Sequence, residues 1–192
     1  MKSICVFCGS NPGTDPRFLQ AAEALGLAIA ARGATLVYGG ASVGLMGAGA
    51  DAALSAGGTV VGVIPRALMR KEVAHAGLSE LVVVETMHQR KALMEQRSEA
   101  FVAMPGGFGT LDELCEILTW AQLRIHEKPI ALLNVAGYFD NLLAFFDEAT
   151  ESGLLRPQHR AFLRVGDGAA AVLAALDAYA PPEDVAKWLP RS

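Results

Sequence analysis

Three glycine-rich segments of the sequence are candidates for binding a phosphorylated ligand. They are GSNPG at residues 9–13, GGASVGLMG at residues 39–47 and PGGFGT at residues 105–110. Glycine at a strand-to-helix turn lets backbone N–H groups approach a phosphate at the positive end of the helix. One such segment is also typical of an ordinary tight turn, but three at one sheet edge predict a phosphate site. The candidate ligand-binding residues in these segments are Ser10, Gly40, Gly44, Gly106, Gly107, Gly109 and Thr110.

The spacing of the glycines argues against two common nucleotide-binding classes. The second segment has glycine at positions 39, 40, 44, 47 and 49, which does not fit Gly-x-Gly-x-x-Gly. None of the three segments contains Gly-Lys followed by Ser or Thr. Neither an NAD-dependent dehydrogenase nor a P-loop ATPase is therefore supported.

Glu113 is a candidate catalytic carboxylate, because it follows the third glycine-rich segment within the first turn of a predicted helix. An acid at that position is also common as a capping or dipole-compensating residue. On a helical wheel, Glu113 projects away from the apolar ridge that we expect to face the core, formed by Leu111, Leu114, Cys115 and Leu118. This arrangement predicts that Glu113 points off the core, beside the glycine turn.

Arg90 and Lys91 place two cations in the first turn of the preceding predicted helix. Cations at a helix N-terminus oppose the macrodipole, and a bound anion would offset that cost. A solvated basic pair on an exposed turn is the alternative interpretation.

Short apolar runs alternate with segments of helical period along the chain, as expected for strands covered by crossover helices. Six strands are predicted, at residues 4–8, 35–38, 59–64, 81–84, 101–104 and 130–134. Helices are predicted at residues 15–32, 45–56, 87–99, 110–125, 138–152 and 169–179. The repeated strand–helix pattern predicts an α/β protein, a three-layer Rossmann-like sandwich with a mostly parallel sheet. We expect residues 1–192 to form a single domain.

The composition excludes several classes of partner. The chain has 16 Lys and Arg against 20 Asp and Glu, so no global charge favours nucleic acid or an anionic membrane. No run approaches 18 apolar residues, and the N-terminal apolar run is too short for a signal peptide, so a cytoplasmic location is expected.

The cysteines and histidines do not suggest a disulfide framework or a metal site. Cys5, Cys8 and Cys115 are an odd number, and the Cys5-x-x-Cys8 spelling lies inside an apolar strand rather than at a helix start. Buried small hydrophobes are favoured over a redox pair. The four histidines lack ligand spacing, so we expect neither a metal nor a cofactor.

The segment PGGFGTLDE at residues 105–113 resembles the PGGxGTxxE signature of the LOG ("Lonely guy") family, and MHQRK at residues 87–91 resembles its second conserved block. The resemblance continues through residues 39–47, 118–123, 125–129 and 132–138, and it covers roughly residues 2–155. It implies hydrolysis of an N6-modified adenosine 5′-monophosphate to free base and ribose 5-phosphate. It further implies that Arg90 and Glu113 are catalytic, that substrate contacts come from Glu72, Lys91, residues 107–113 and Thr119, and that the protein is a homodimer.

Cleavage of a glycosidic bond leaves oxocarbenium character on the ribose, which a nearby carboxylate stabilises. We expect Glu113 to act at C1′, Arg90 to orient Glu113, and Lys91 with the glycine-turn amides to hold the 5′-phosphate. Attack by water and a covalent ribosyl intermediate both remain open, and Asp112 and Glu72 are the two candidates for the leaving-group acid.

Two rival functions and one older label bear on this hypothesis. The rivals are a broader purine or pyrimidine monophosphate nucleosidase and a non-catalytic nucleotide or cofactor carrier. Relatives of this fold have carried a lysine decarboxylase label, but Lys91 at an exposed-type helix start is a poor candidate for a Schiff base.

The expected homodimer is also favoured by two apolar residues, Ile117 and Trp120, which we expect on the off-core face of their helix.

Overall fold

The computed structural model describes residues 1–69 and 74–182, and its centre is a parallel β-sheet. Seven strands are present in this part of the chain, in the spatial order β4-β3-β2-β1-β5-β6-β7, and every strand pairing is parallel. They are β1 (Ser3–Phe7), β2 (Thr35–Tyr38), β3 (Val60–Pro65), β4 (Glu80–Val84), β5 (Ala100–Ala103), β6 (Ile130–Leu133) and β7 (Leu163–Gly166). The predicted α/β fold with a parallel sheet is confirmed.

The helices cover the sheet on both faces. They are α1 (Pro16–Ala31), α2 (Gly44–Ser55), α3 (Met87–Gln96), α4 (Phe108–Gln122), α5 (Asp140–Glu151), α6 (Pro157–Arg160) and α7 (Ala169–Asp177). One apolar cluster lies between one face of the sheet and helices α1, α2 and α7. A second cluster lies between the opposite face and helices α3, α4 and α5. The result is the three-layer sandwich that the sequence predicts. No helix in the described part of the chain is long and apolar enough to cross a membrane.

Local sequence signals explain how the helices next to the site begin. Asp15 caps α1 by accepting a hydrogen bond from the N–H of Arg17, and Pro16 occupies the first helical position. Thr86 and Gln89 form a capping box at the start of α3. Arg90 therefore follows a well-defined helix start, and its place on α3 is set by that cap.

The strand β7 is absent from the prediction, which contains six strands. Its sequence LRVG is only partly covered, with Leu163 buried and Val165 42% exposed, because β7 lies at the edge of the sheet. A search for continuous apolar runs finds strands that are covered on both faces, and it misses a short edge strand that contains an arginine.

The predicted core face of α4 is only partly right, because Leu114 is buried as predicted but the other three residues of the predicted ridge are not fully buried. Its buried residues are Thr110, Glu113, Leu114, Ile117 and Ala121, whereas Cys115 is exposed and Leu111 and Leu118 are only half-buried. Glu113 thus lies on the sheet-facing side of the helix, and Ile117, expected to be exposed, is 3% exposed within the single chain. The helical wheel predicts that the side with more leucines faces the core. The sheet-facing side instead begins with polar residues, because a cavity lies next to the start of α4.

Candidate active site

A cavity of about 470 Å³ lies at the carboxyl ends of β1 and β5. After β1 the chain fills one half of the sheet as far as β4, and β5 then returns to the other side of β1, so the strand order reverses at this point. Ligands of open parallel sheets bind at such a switch point, and the volume suits a small organic ligand. Residues from the turns after both strands line the cavity, among them Ser10, Gly106, Gly107, Gly109 and Thr110.

The start of α4 forms one wall of this cavity. Gly107 is the N-cap residue, and among the described residues no side chain caps the helix at this end. A β-carbon added at Gly107 or Gly109 would meet nothing within 4 Å, so the chain itself does not need glycine at these positions. The open space and the first-turn N–H groups make this wall suited to an anion that approaches the backbone closely.

The turn after β1 packs tightly against the turn after β5. The N–H of Gly9 donates to the carbonyl oxygen of Pro105 at 3.0 Å. A β-carbon at Gly106 would lie 2.1 Å from the Thr110 hydroxyl oxygen and 2.9 Å from the Gly9 nitrogen. Gly106 is therefore required for close packing of the two turns, unlike Gly107 and Gly109.

A buried ion pair forms part of the cavity wall. Arg90 is 4% exposed and Glu113 is 6% exposed, and their Nη2 and Oε1 atoms lie 3.9 Å apart. The Nε atom of Arg90 is buried without a hydrogen-bond partner among the described residues. A buried charge is costly unless a partner of opposite charge lies nearby, and these two side chains are such partners. The arrangement offers one carboxylate and one guanidinium to a ligand in the cavity.

The chain resembles known proteins over most of its length. Residues 46–176 match the family model described as "Possible lysine decarboxylase". A probable cytokinin riboside 5′-monophosphate phosphoribohydrolase of Oryza sativa subsp. japonica is 49% identical over 94% of this chain and 74% of its own length. A cytokinin riboside 5′-monophosphate phosphoribohydrolase of Arabidopsis thaliana is 47% identical over 94% of this chain and 84% of its own length.

The chain belongs to the LOG family.

Among solved structures, the molybdenum cofactor carrier protein of Chlamydomonas reinhardtii has the same fold. It is 26% identical, with a TM-score of 0.70, over 91% of this chain and 95% of that protein. A protein named as a cofactor carrier therefore shares this fold with proteins named as phosphoribohydrolases. Residues of the site, rather than the fold, must distinguish the two.

Lys91, which the LOG resemblance makes a substrate contact, does not line the cavity. Its Nζ atom lies 3.1 Å from Asp112 and 3.0 Å from Glu116, so it links α3 to α4. Burial lowers the pKa of Lys91, but hydrogen bonds and charge from Glu116 and Asp112 outweigh burial and raise this pKa above its ordinary value. Lys91 is therefore a cation held by two carboxylates, and it differs from both the solvated cation and the Schiff-base amine considered above.

Three other residues that the LOG resemblance or the glycine pattern points to are not among the residues that line the cavity. Gly40 has a φ of +80° at the end of β2, and Gly44 packs against the backbone of Ser10. Thr119 is exposed on the outward side of α4, where its hydroxyl donates to the Cys115 carbonyl oxygen at 2.7 Å. Glu72 lies outside the described residues. Of the two candidate leaving-group acids, Asp112 lines the cavity.

The second glycine-rich segment serves the site in a different way from the other two. The N–H groups of Leu45 and Met46, at the start of α2, donate to the carbonyl oxygen of Gly9. These N–H groups are therefore occupied by the turn after β1, and the segment contributes the side chains of Leu45 and Met46 to the cavity instead. The backbone of two of the three glycine-rich segments, residues 9–13 and 105–110, therefore lines the cavity.

Sequence reasoning missed two aromatic residues of the site. The Tyr138 hydroxyl donates to the Gly106 carbonyl oxygen at 2.7 Å, and the Phe18 ring meets the Tyr138 ring edge-on at 5.4 Å. Both rings line the cavity. Tyr138 is the last residue of the segment 132–138, which belongs to the LOG resemblance. Its position shortly after a predicted strand was the signal in the sequence that it could reach the site.

The buried cysteines agree with the structural interpretation of Cys5 and Cys8. Both are free thiols in the core, and Cys8 also borders the cavity. Burial, followed by the nearby charge of Glu113, raises the pKa of both thiols. They stay protonated at neutral pH and are poor nucleophiles.

Proposed function

We propose that this protein hydrolyses the N-glycosidic bond of a cytokinin riboside 5′-monophosphate and releases free base and ribose 5-phosphate. The buried pair of Arg90 and Glu113, set beside the uncapped start of α4, carries the proposal. A carrier that only holds a phosphate has no need of a carboxylate next to its anion, whereas glycosidic cleavage requires one. The names of the rice and Arabidopsis relatives support the same reaction.

The chemistry assigns a role to each part of the cavity wall. When the C1′–N9 bond breaks, its electrons leave with the purine and the ribose carbon becomes electron-poor. The oxygen of one water forms the new bond to C1′, one of its protons ends on N9 of the base, and the other stays on the new hydroxyl. Glu113 stabilises the positive charge at C1′, and Arg90 holds Glu113 in place and compensates its charge.

The 5′-phosphate is held by the first turn of α4 in this proposal. The N–H groups of Phe108, Gly109 and Thr110 precede the first intrahelical bond, which runs from the N–H of Leu111 to the Gly107 carbonyl oxygen at 3.1 Å. They carry the positive end of the helix dipole, and the space above Gly107 and Gly109 admits the phosphate oxygens.

The direct test is to incubate the protein with AMP and with N6-isopentenyl-AMP and to measure released base by chromatography. We expect base from the N6-modified nucleotide, released faster than from AMP. Equal or faster release from AMP would replace the proposal with a broader nucleosidase. Tight binding of both nucleotides without any released base would replace it with a carrier.

We also propose that the protein is a homodimer, joined through the outward side of α4. Leu118, Thr119 and Phe146 line a groove there, and Phe145 and Leu154 nearby are 61% and 88% exposed. Since the LOG resemblance makes Thr119 a substrate contact, a second copy seated on this face would bring Thr119 towards the partner's cavity. This replaces the argument from Ile117, which is buried within the chain.

Light scattering at micromolar concentration tests the dimer. We expect twice the mass of one chain for the wild type and for Leu27→Glu, which changes a 46% exposed leucine on α1. Leu118→Glu is expected to give the mass of one chain. A wild-type protein with the mass of a single chain would contradict the dimer.

A further inference from the structure

Gly39 lies directly against the guanidinium of Arg90. A β-carbon added at Gly39 would lie 1.9 Å from the Nη2 atom and 3.0 Å from the Cζ atom of Arg90. The ordinary contact distance between such atoms is about 3.5 Å or more. Gly39 is buried at the end of β2, so the guanidinium rests where the side chain of any other residue would be.

Backbone conformation does not account for glycine at this position. Gly40, the next residue, has a φ of +80° and needs glycine for that reason, but Gly39 is not among the glycines with positive φ. The space that Arg90 occupies is the remaining requirement. Glycine is therefore required at positions 39 and 40 for different reasons: space for Arg90 at Gly39 and a positive φ at Gly40.

The guanidinium contacts other side chains besides the backbone of Gly39. The Arg90 side chain is 5% exposed, its Nη1 atom contacts the Met87 sulfur at 3.8 Å, and its Nη2 atom faces Glu113 at 3.9 Å. Met46 also borders the same position, since its Cε atom would be 3.4 Å from the added β-carbon. A methyl group at Gly39 would thus displace Nη2, which is the atom nearest to the Glu113 carboxylate.

We propose that Gly39 is a positioning residue, whose missing side chain forms the socket that seats the Arg90 guanidinium beside Glu113. The effect of this socket on turnover rests on the proposed function, in which Arg90 supports Glu113. Its effect on stability does not rest on that function, because the overlap of atoms exists whatever the protein catalyses.

The test is a double-mutant cycle of Gly39→Ala and Arg90→Lys. The lysine keeps a positive charge near Glu113 but has no Nη2 atom. Gly168→Ala is the matched control, because Gly168 lies at the start of α7, has a φ of −151°, and a β-carbon there would meet nothing within 4 Å. The free energy of unfolding, the Tm and kcat/KM are measured for all variants.

With Arg90 present, Gly39→Ala is expected to lower the Tm by roughly 3–10 °C through overpacking and to lower kcat/KM by about a hundredfold through displacement of the pair. In the Arg90→Lys background the same change is expected to leave the Tm unchanged or to raise it, because Gly→Ala restricts the unfolded chain. It should also cause no further loss of kcat/KM there. Gly168→Ala should leave kcat/KM unchanged, and because Gly168 is the N-cap of α7 it should lower the Tm by only about 1–3 °C in either background.

An equal loss of stability from Gly39→Ala in both backgrounds would overturn the socket. If Gly39→Ala alone does not fold, a folded double variant supports the socket and an unfolded double variant overturns it. If the stability coupling is found but Arg90→Lys turns over normally, the socket stands and the role of Arg90 in the proposed function is wrong.

Discussion

Arg90 and Glu113 face each other in a part of the protein where little of either side chain reaches water. Both are less than 10% exposed, and Lys91 next to Arg90 is held by Asp112 and Glu116 instead of by solvent. Opposite charges attract each other strongly in such a place, and replacing one of them by a neutral group leaves the charge of the other uncompensated. The sequence singled out Arg90 and Glu113 by their position at helix starts, but their mutual burial needed the structure.

The change Glu113→Gln keeps the shape of the side chain and removes its charge. We expect kcat to fall by at least about a hundredfold, because the stabilisation of positive charge at C1′ is lost. We also expect the Tm to fall, by up to about 10 °C, because the Arg90 guanidinium loses its buried counter-charge.

Released base and thermal unfolding measure these two effects. Glu127→Gln is the control, because it removes a carboxylate from an exposed position beyond α4 and should leave both quantities unchanged. Turnover near the wild-type value in Glu113→Gln would remove Glu113 from the catalytic role.

At the scale of elements, the strands and helices next to the site were predictable because each has a strong local signal. Strands buried on both faces read as continuous apolar runs, and α1 and α3 begin at capping residues. The face of α4 was not predictable in the same way. Its polar residues Thr110 and Glu113 are buried by a cavity rather than by a core, and a helical wheel contains no information about a cavity.

The turn after β5 is held by a neighbouring element through Tyr138. Its hydroxyl hydrogen bond to the Gly106 carbonyl oxygen ties the turn to the segment after β6. This contact joins residues 32 positions apart, so no local pattern in the sequence reveals it.

Tyr138→Phe removes this hydrogen bond and keeps the ring that packs on Phe18. Since one such bond is worth about 0.5–1.5 kcal/mol, we expect KM for the nucleoside monophosphate to rise by roughly 2- to 10-fold. The value of kcat should stay within about twofold, because Arg90 and Glu113 lie on other elements. Steady-state kinetics measure the split, and an unchanged KM with a reduced kcat would contradict the assigned role of Tyr138.

At the scale of the whole molecule, the strand order brings together segments that are far apart in sequence. The turns at residues 9–13 and 105–110 meet because β1 and β5 are neighbours at the point where the order reverses. Alternation of strands and helices predicted the layers and the parallel sheet, and the LOG resemblance predicted the family. Neither the alternation nor the resemblance shows that residues 39–47 pack against the residues that line the site. That role depends on contacts of Gly39, Gly44 and Leu45 with residues far away in the sequence.

The central claim is that the cavity recognises a nucleoside through its 5′-phosphate before the glycosidic bond is cleaved. The most direct measurement compares kcat/KM for N6-isopentenyl-AMP with kcat/KM for its riboside, which lacks the phosphate. A site built around a polar group commonly rejects an analogue lacking it by about four to five powers of ten, so we predict a preference of that order for the monophosphate. Ribose 5-phosphate should compete with the monophosphate for the site. Comparable kcat/KM values for the riboside and the monophosphate would contradict the account, because the open backbone at Gly107 and Gly109 would then bind no phosphate.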